Sequence, residues 1–199
     1  EGKGVAQDYK EALKSYRLLA EQGVALAHLK LGMMYEEGKG VAQDYTEARK
    51  WYMLAAEQGA VDAQVNLGTF YLSGRGVVQD FAAAAEWYML AAEQGDVRAQ
   101  LGLGHIYDRG GNGVAQDYAE ARRWYTLAAE QGNTNAQSSL GYNYYNGNGV
   151  ERDYVAAIEW WTLAAEQGNA RAQQSLGYMY YSGNGVERDY VAAIEWWTL

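Results

Sequence analysis

Apolar residues recur at helical spacing in two stretches of the unit that begins at Gly40. In the first stretch the apolar face consists of Tyr45, Ala48, Tyr52, Ala55 and Ala56. In the second stretch, from about Val61 to Ser73, it consists of Ala63, Leu67, Phe70 and Tyr71. Spacings of three and four residues place each set on one side of a helix. The unit therefore predicts two amphipathic helices, and each needs a partner to cover its apolar face.

This two-helix unit recurs along the whole chain with a period of about 36 residues. The Gly-Val dipeptide that opens each unit begins at Gly4, Gly40, Gly76, Gly113, Gly149 and Gly185. Self-similarity at such a period is the signature of a solenoid, in which each unit packs mainly on its neighbours. We therefore predict an all-α fold: a right-handed superhelical α-solenoid of antiparallel helix pairs. It would contain about five 36-residue repeats plus a partial one, and no β-sheet.

The repeats predict a single solenoid domain over residues 1–199. The last unit stops at Leu199, before the Ala-Ala-Glu-Gln-Gly sequence that ends the earlier units. We therefore expect a fragment of a longer chain. Terminal repeats without polar outer faces also predict possible end-to-end self-association.

Aspartate and glycine mark the ends of the predicted helices, in a chain without proline. Asp44 precedes a first helix and Glu47 follows three residues later, which is the pattern of a capping box. The same pattern occurs at Asp8 with Glu11 and at Asp117 with Glu120. Gly59 follows the Ala-Ala-Glu-Gln ending and can adopt the left-handed conformation of a helix C-terminus.

Each second helix also carries a glycine at its centre, such as Gly68, where glycine costs about 1 kcal/mol relative to alanine. We attribute this glycine to the close approach of a large side chain from the adjoining helix. The candidate aromatic neighbours are Tyr52, Tyr88, Tyr125 and Trp161.

The segment Val61 to Gly95 carries the residues of a known type of repeat. Leu67-Gly68-x-x-Tyr71, followed by Ala84-x-x-x-Tyr88, is similar to the signature of tetratricopeptide repeats. The long connection Gly-x-Gly-Val-x-x-Asp resembles the Sel1-like repeat family, a relative of the tetratricopeptide repeats. The resemblance covers the whole chain and implies a helical solenoid that serves as an adaptor or scaffold. It does not imply a particular partner.

Positions that vary between units indicate where a ligand would bind. By analogy with tetratricopeptide arrays, the helix with Leu-Gly-x-x-Tyr lines the concave side and exposes residues two before, two after and five or six after its leucine. The first two such helices contribute Leu29, Met33, Glu36, Glu37, Thr69 and Leu72. The later ones contribute His105, Asp108, Arg109, Tyr142, Tyr145, Tyr178 and Tyr181. Tyrosine is typical of recognition surfaces, but these tyrosines could instead only cover neighbouring helices.

These features predict a non-enzymatic scaffold or adaptor that binds a peptide or protein segment in a concave groove. The alternative is a carbohydrate- or cell-wall-binding module whose stacked tyrosines contact sugar rings. Catalysis is less favoured because neither histidine has a positioned catalytic partner in the sequence. His28 is expected to form structural hydrogen bonds, and no catalytic residue, metal or cofactor is expected.

The charge balance narrows the range of partners. With 25 acidic and 16 basic residues, the net charge is -9, which disfavours binding to a phosphate backbone. No apolar run approaches the length of a membrane span, so no membrane insertion is expected. Cysteine is absent, so cysteine content does not distinguish between cytoplasm, periplasm and secretion. We expect a soluble protein of bacterial origin.

Overall fold

The computed structural model describes residues 9–199, which form eleven helices and no β-strand. The first five are α1 (Tyr9–Glu21), α2 (Ala25–Glu37), α3 (Tyr45–Ala56), α4 (Val61–Ser73) and α5 (Phe81–Glu93). The remaining six are α6 (Val97–Arg109), α7 (Tyr118–Glu130), α8 (Thr134–Asn146), α9 (Tyr154–Glu166), α10 (Ala170–Ser182) and α11 (Tyr190–Thr198). The predicted unit opening at Gly4 and the predicted cap at Asp8 lie outside these residues.

The chain divides into two compact units, one that ends at Asp96 and one from Val97 to Leu199. Within each unit every helix packs against the next one along the chain, from α1 to α5 and from α6 to α11. Helix pairs packed in sequence confirm the predicted all-α solenoid. The assignment of all residues to a single domain stays a prediction.

Aspartate caps five of the helices, as predicted. Asp44 accepts hydrogen bonds from the backbone N–H groups of Thr46 and Glu47, at 2.9 and 3.0 Å. The equivalent caps are Asp80, Asp117, Asp153 and Asp189. These bonds satisfy backbone donors that have no partner in the first turn of a helix.

The prediction of a reciprocal capping box at Asp44 was wrong. The backbone N–H of Asp44 donates to the carbonyl of Tyr35 at 2.9 Å, so it is not free to bond with Glu47. Glu47 instead forms an ion pair with Lys50 one turn later. Asp117 shows the same arrangement, with its N–H bonded to Tyr107 O. The loop before each cap is therefore tied to the preceding helix.

The central glycine of each second helix does face an aromatic ring, as predicted. A Cβ atom on Gly68 would lie 2.6 Å from Cδ1 of Tyr88, which is less than atoms in van der Waals contact allow. The same relationship joins Gly32 with Tyr52, Gly104 with Tyr125, Gly141 with Trp161 and Gly177 with Trp197. The missing side chain thus lets consecutive helices approach closely.

The core of each repeat combines alanines and one large aromatic residue of the first helix with larger apolar residues of the second. In the second repeat, Ala48, Tyr52 and Ala55 of α3 are fully buried beside Leu67 and Phe70 of α4. The tryptophan column packs between repeats: Trp51, Trp87, Trp160 and Trp196 are half-buried and Trp124 is buried. These tryptophans therefore contribute to the packing of the fold.

Buried glutamines link three successive helices. Gln64 of α4 donates to the carbonyl of Ala56 at the end of α3, at 3.3 Å, and accepts from Gln94 at the end of α5, at 2.9 Å. His28 stands in the same column and lies 3.1 Å from the carbonyl of Ala20 and 3.0 Å from the Gln58 amide. The prediction that His28 is structural is confirmed.

Candidate functional site

The predicted ligand-facing residues of the N-terminal unit lie on α2 and α4. Glu36 is half-buried and accepts a hydrogen bond of 2.6 Å from the hydroxyl of Tyr52. It also lies 3.4 Å from the guanidinium of Arg75. Burial, together with this bond to Glu36, raises the pKa of Tyr52. Glu36 is therefore committed to contacts within the fold, and Glu37 is paired with Lys39.

Leu29 does not fit the predicted binding surface, and this prediction is corrected. Its side chain is only 8% exposed and packs in the core with Tyr52 and Phe70. The position two residues before the leucine faces the neighbouring helix, and Val65 at the same position is also buried. The rule taken from tetratricopeptide arrays thus includes one position that belongs to the core here.

The other predicted residues of this unit are partly accessible. Met33 and Leu72 are half-buried, and Met33 packs against the core. Thr69 is half-buried, with its hydroxyl 3.0 Å from the hydroxyl of Tyr88. In this unit most of the predicted site residues therefore contact neighbouring helices, among α2, α3, α4 and α5.

In the C-terminal unit, α6, α8 and α10 form one layer. Helix α8 contacts both α6 and α10 directly, whereas α7, α9 and α11 make no comparable contacts with one another. Helices that lie closer together are expected on the inner side of a curved array. This arrangement brings the predicted residues of α6, α8 and α10 onto a common surface.

Four tyrosines dominate the part of this surface on α8 and α10. Tyr142, Tyr178 and Tyr181 expose 40%, 48% and 52% of their surfaces. Tyr145 is less exposed and lies against Trp161 and Tyr154, with ring centroids 5.6 and 5.3 Å apart. Three of the four predicted tyrosines therefore remain accessible, while the fourth also supports the packing.

Three of these tyrosines, Tyr142, Tyr145 and Tyr178, border a groove of about 280 Å³ whose base is the buried Trp161. Tyr142 packs edge-on against Trp161 at 5.2 Å, and its hydroxyl accepts a hydrogen bond of 3.2 Å from Ser175 of α10. Tyr178 lines the groove on α10. We refer to the space bordered by Tyr142, Tyr145 and Tyr178 above Trp161 as the aromatic groove.

A polar pocket of about 270 Å³ shares Tyr142 with the aromatic groove. His105, Asp108 and Arg109 from α6 line it, together with Asn143 from α8 and Arg171 from α10. The sequence predicts the three residues of α6 as a group, and the structure brings them together. We refer to this space as the polar pocket.

A hydrogen bond links His105 of α6 to Tyr125 of α7. Nδ1 of His105 lies 3.0 Å from the hydroxyl of Tyr125, and burial raises the pKa of that phenol, so the hydroxyl keeps its proton. Either the hydroxyl or the ring nitrogen can be the donor, according to the tautomer of the imidazole. Burial and the neighbouring Arg109 and Arg171 lower the pKa of His105, which favours the neutral ring.

Sequence reasoning missed Asn143 and Arg171. Asn143 lies three residues after Leu140, outside the predicted set of positions, and Arg171 lies on the first turn of α10. Comparison of matched positions contains the signal for Asn143. The other repeats place apolar residues at this buried position: Met34, Phe70, Ile106 and Met179. A polar residue in an apolar column indicates a site that differs from the repeat framework.

Among the described residues, no group of three or more His, Cys, Asp or Glu side chains is arranged to hold a metal ion. No helix in that part of the chain has the length and apolar character needed to cross a membrane.

Comparison with known proteins identifies the repeat. The model of the Sel1 repeat matches six segments, at residues 1–24, 25–59, 61–96, 97–133, 134–169 and 170–199. A search of curated proteins found no match. Proteins with Sel1 repeats are generally protein–protein interaction scaffolds without enzymatic activity.

Solved structures include two clear relatives. One is c5321, a protective antigen of uropathogenic Escherichia coli strains with an SLR fold, at 47% identity and a TM-score of 0.88. The match covers 92% of this chain but only 39% of that protein. A Sel1 repeat protein from Oxalobacter formigenes is 34% identical over 96% of this chain and 78% of its own, with a TM-score of 0.89. A putative Sel1 repeat protein from Klebsiella pneumoniae, at 23% identity and a TM-score of 0.53 over 92% of this chain and 89% of its own, shows the fold alone.

Proposed function

This chain belongs to the Sel1 repeat family, and on that premise we propose that it is a non-enzymatic scaffold that binds an extended peptide or protein segment. The segment lies across α8 and α10, with its apolar side chains in the aromatic groove. The observation that carries this proposal is the exposure of Tyr142 and Tyr178 at the groove above Trp161, with Tyr181 also exposed on α10.

The aromatic groove suits a peptide because it combines apolar contact area with hydroxyl groups that can form directed hydrogen bonds. A tyrosine ring provides contact area at low cost in conformational entropy, and its hydroxyl can bond the backbone of a bound segment. The ring packing of Tyr142 and Tyr145 against Trp161 holds these side chains in place before binding. Preorganisation of this kind lowers the entropic cost of association.

The proposal is tested with a random peptide library displayed on phage and selected against residues 1–199. Replacement of Tyr142, Tyr178 and Tyr181 by alanine should weaken the selected peptides at least about tenfold if one of these residues is a hot spot. Tyr145 is left in place because it packs against Trp161.

A matched control removes exposed apolar area elsewhere in the same unit. Val155 and Leu163 of α9 expose 55% and 47% of their surfaces, so their replacement by alanine should leave both the fold and peptide binding unchanged. Circular dichroism checks the helical content of both variants. Equal peptide affinity for the triple tyrosine variant and the parent would contradict the proposal.

The carbohydrate-binding alternative remains a prediction, and the same variants test it. The alternative would be favoured if the parent binds glycans on an array, selects no peptides, and loses glycan binding in the triple tyrosine variant.

A further inference from the structure

The polar pocket contains a buried amide group without a partner. Asn143 is only 2% exposed, and its Nδ2 has no hydrogen-bond acceptor within the described residues. A buried donor without an acceptor lowers the stability of the fold, and native structures contain few of them. Asn143 is one of the residues that line the polar pocket, so the unused donor lies next to a space in which a ligand could supply an acceptor.

The repeat framework does not require asparagine at this position. Met34, Phe70, Ile106 and Met179 occupy the matched positions and are all buried. Any of these apolar residues would bury more apolar surface and leave no donor unpaired. The fourth repeat is thus the one that departs from the framework, and it departs inside a pocket.

The charges around Asn143 indicate the kind of acceptor. The guanidinium groups of Arg109 and Arg171 both line the polar pocket, and neither lies within ion-pair distance of an acid in the described chain. Asp108 is the acidic residue of the pocket. Two guanidinium groups and one carboxylate leave one positive charge in excess, since His105 is neutral.

We propose that the polar pocket binds a carboxylate of the segment held in the aromatic groove, an inference that rests on the function proposed above. A carboxylate accepts two parallel hydrogen bonds from a guanidinium, and it carries the single negative charge that the pocket lacks. A phosphate dianion would place a second negative charge next to Asp108. The terminal torsion of asparagine is soft, so the Asn143 amide can turn toward a carboxylate oxygen at little cost.

The carboxylate could come from an acidic side chain or from the C-terminus of the segment. Two small probes separate these sources. N-acetylglycine presents a terminal carboxylate, and N-acetylglutamate methylamide presents a side-chain carboxylate. N-acetylglutamine methylamide is the neutral control of nearly the same shape.

The experiment follows the side-chain amide of Asn143 and the ring nitrogens of His105 by NMR while each probe is added to residues 1–199. We expect a saturable shift of both signals with at least one carboxylate probe and none with the neutral control. The probe that binds more tightly identifies the source of the carboxylate.

Variants taken from the chain's own repeats test the residues. Asn143→Met, which copies Met34 and Met179, and Arg171→Asn, which copies Asn135, should each weaken the carboxylate probe at least about tenfold. The His105 signal reports on binding in the Asn143 variant. Arg123→Gln removes a positive charge on α7, outside the pocket lining, and should leave the affinity unchanged.

Asn143→Met should also raise the thermal midpoint, because it removes the unpaired donor from the core. A more stable protein that no longer binds the probe would separate a binding role of Asn143 from a structural one.

Two results would overturn the inference: equal shifts with the neutral and the carboxylate probes, or unchanged affinity in both Asn143→Met and Arg171→Asn. The outcome is independent of the peptide library. If peptides are selected but no carboxylate probe binds, the carboxylate inference is contradicted and the proposed function is not. If a carboxylate probe binds but no peptide is selected, the carboxylate site in the polar pocket is supported and the proposed segment-binding function is contradicted.

Discussion

The ring of Tyr88 occupies the space in which a Cβ atom of residue 68 would lie. A Cβ on Gly68 would be 2.6 Å from both Cδ1 and Cε1 of Tyr88. Tyr88 is only 5% exposed, so its ring has little room to move away. The contact recurs in the other repeats. It explains why the second helix of each repeat keeps glycine, a residue with poor helix propensity, at its centre.

We therefore predict that Gly68→Ala destabilises the protein by about 1 to 3 kcal/mol, as expected for overpacking. Helix propensity alone would predict a gain of about 1 kcal/mol, so the sign of the change decides between the two effects. Urea unfolding gives the measurement. The double variant Gly68→Ala/Tyr88→Ala should lose less stability than the sum of the losses in the two single variants, because the clash has been removed. A loss in the double variant equal to that sum would contradict the steric explanation.

The same two residues show what the sequence could and could not predict. A glycine that recurs at a costly position demands a local reason, and the adjoining aromatic column was the nearest candidate. The capping box at Asp44 was predicted from an equally good local pattern and was wrong. Its backbone N–H bonds the carbonyl of Tyr35, a contact with the preceding helix that the pattern of a single helix terminus does not contain.

The candidate site shows the same limit. The exposed positions of Tyr142, Tyr178 and Tyr181 follow from spacing relative to the framework leucine, because spacing fixes the face of a helix. Asn143 lies on the buried face of the same helix, so a search for exposed variation passes over it. Its role depends on Arg171, which the fold brings in from the next repeat.

Truncation of a central leucine should reveal how independent the repeats are. Leu103 of α6 is fully buried, so Leu103→Ala should cost about 2 to 5 kcal/mol. Because each repeat contacts mainly its neighbours, the variant should unfold in more than one step, with the unit from Val97 to Leu199 first. Calorimetry checks this, with Leu163→Ala, at an exposed position, as the control. A single sharp transition at the parent's midpoint would contradict both parts.

The environment of His105 predicts a pH dependence of stability. Burial, followed by the charges of Arg109 and Arg171, lowers its pKa in the folded state below the ordinary 6.5. As the pH falls below about 6.5, the unfolded chain therefore takes up a proton before the folded protein does. Stability contributed by the neutral ring is complete above that pH and is lost as the pH decreases.

His105→Thr isolates this contribution. Thr69 occupies the matched position, and its hydroxyl lies 3.0 Å from the hydroxyl of Tyr88, so threonine should keep the contact with Tyr125. Urea midpoints of the parent and the variant are measured from pH 8 to pH 5. Below about pH 6.5 the midpoint of the parent should fall relative to the midpoint of the variant. The parent and the variant both contain Asp108, Tyr142 and the two arginines near His105, so the contributions of these groups to the pH dependence cancel in the difference. A difference that does not change with pH would refute the assignment.

The apolar face of α11 predicts self-association of residues 1–199. Trp197 occupies the position of Trp161, but it is 47% exposed, whereas Trp161 is 2% exposed beneath α10. Tyr190 and Ile194 on the same helix expose 54% and 58%, whereas Tyr154 and Ile158 at the matched positions of α9 are half-buried. An apolar surface of this kind favours burial against a second copy, and a chain that stacks end to end would continue the solenoid.

We expect sedimentation velocity to show concentration-dependent association of residues 1–199. Tyr190→Glu with Ile194→Glu should abolish it, because association would bury two like charges without partners. Leu163→Glu, which places one charge on the exposed face of α9, serves as the control and should associate like the parent. Both substituted positions of α11 are exposed, so the helical content should not change. A parent that remains monomeric at high concentration would contradict the prediction, as would a double variant that associates as strongly as the parent.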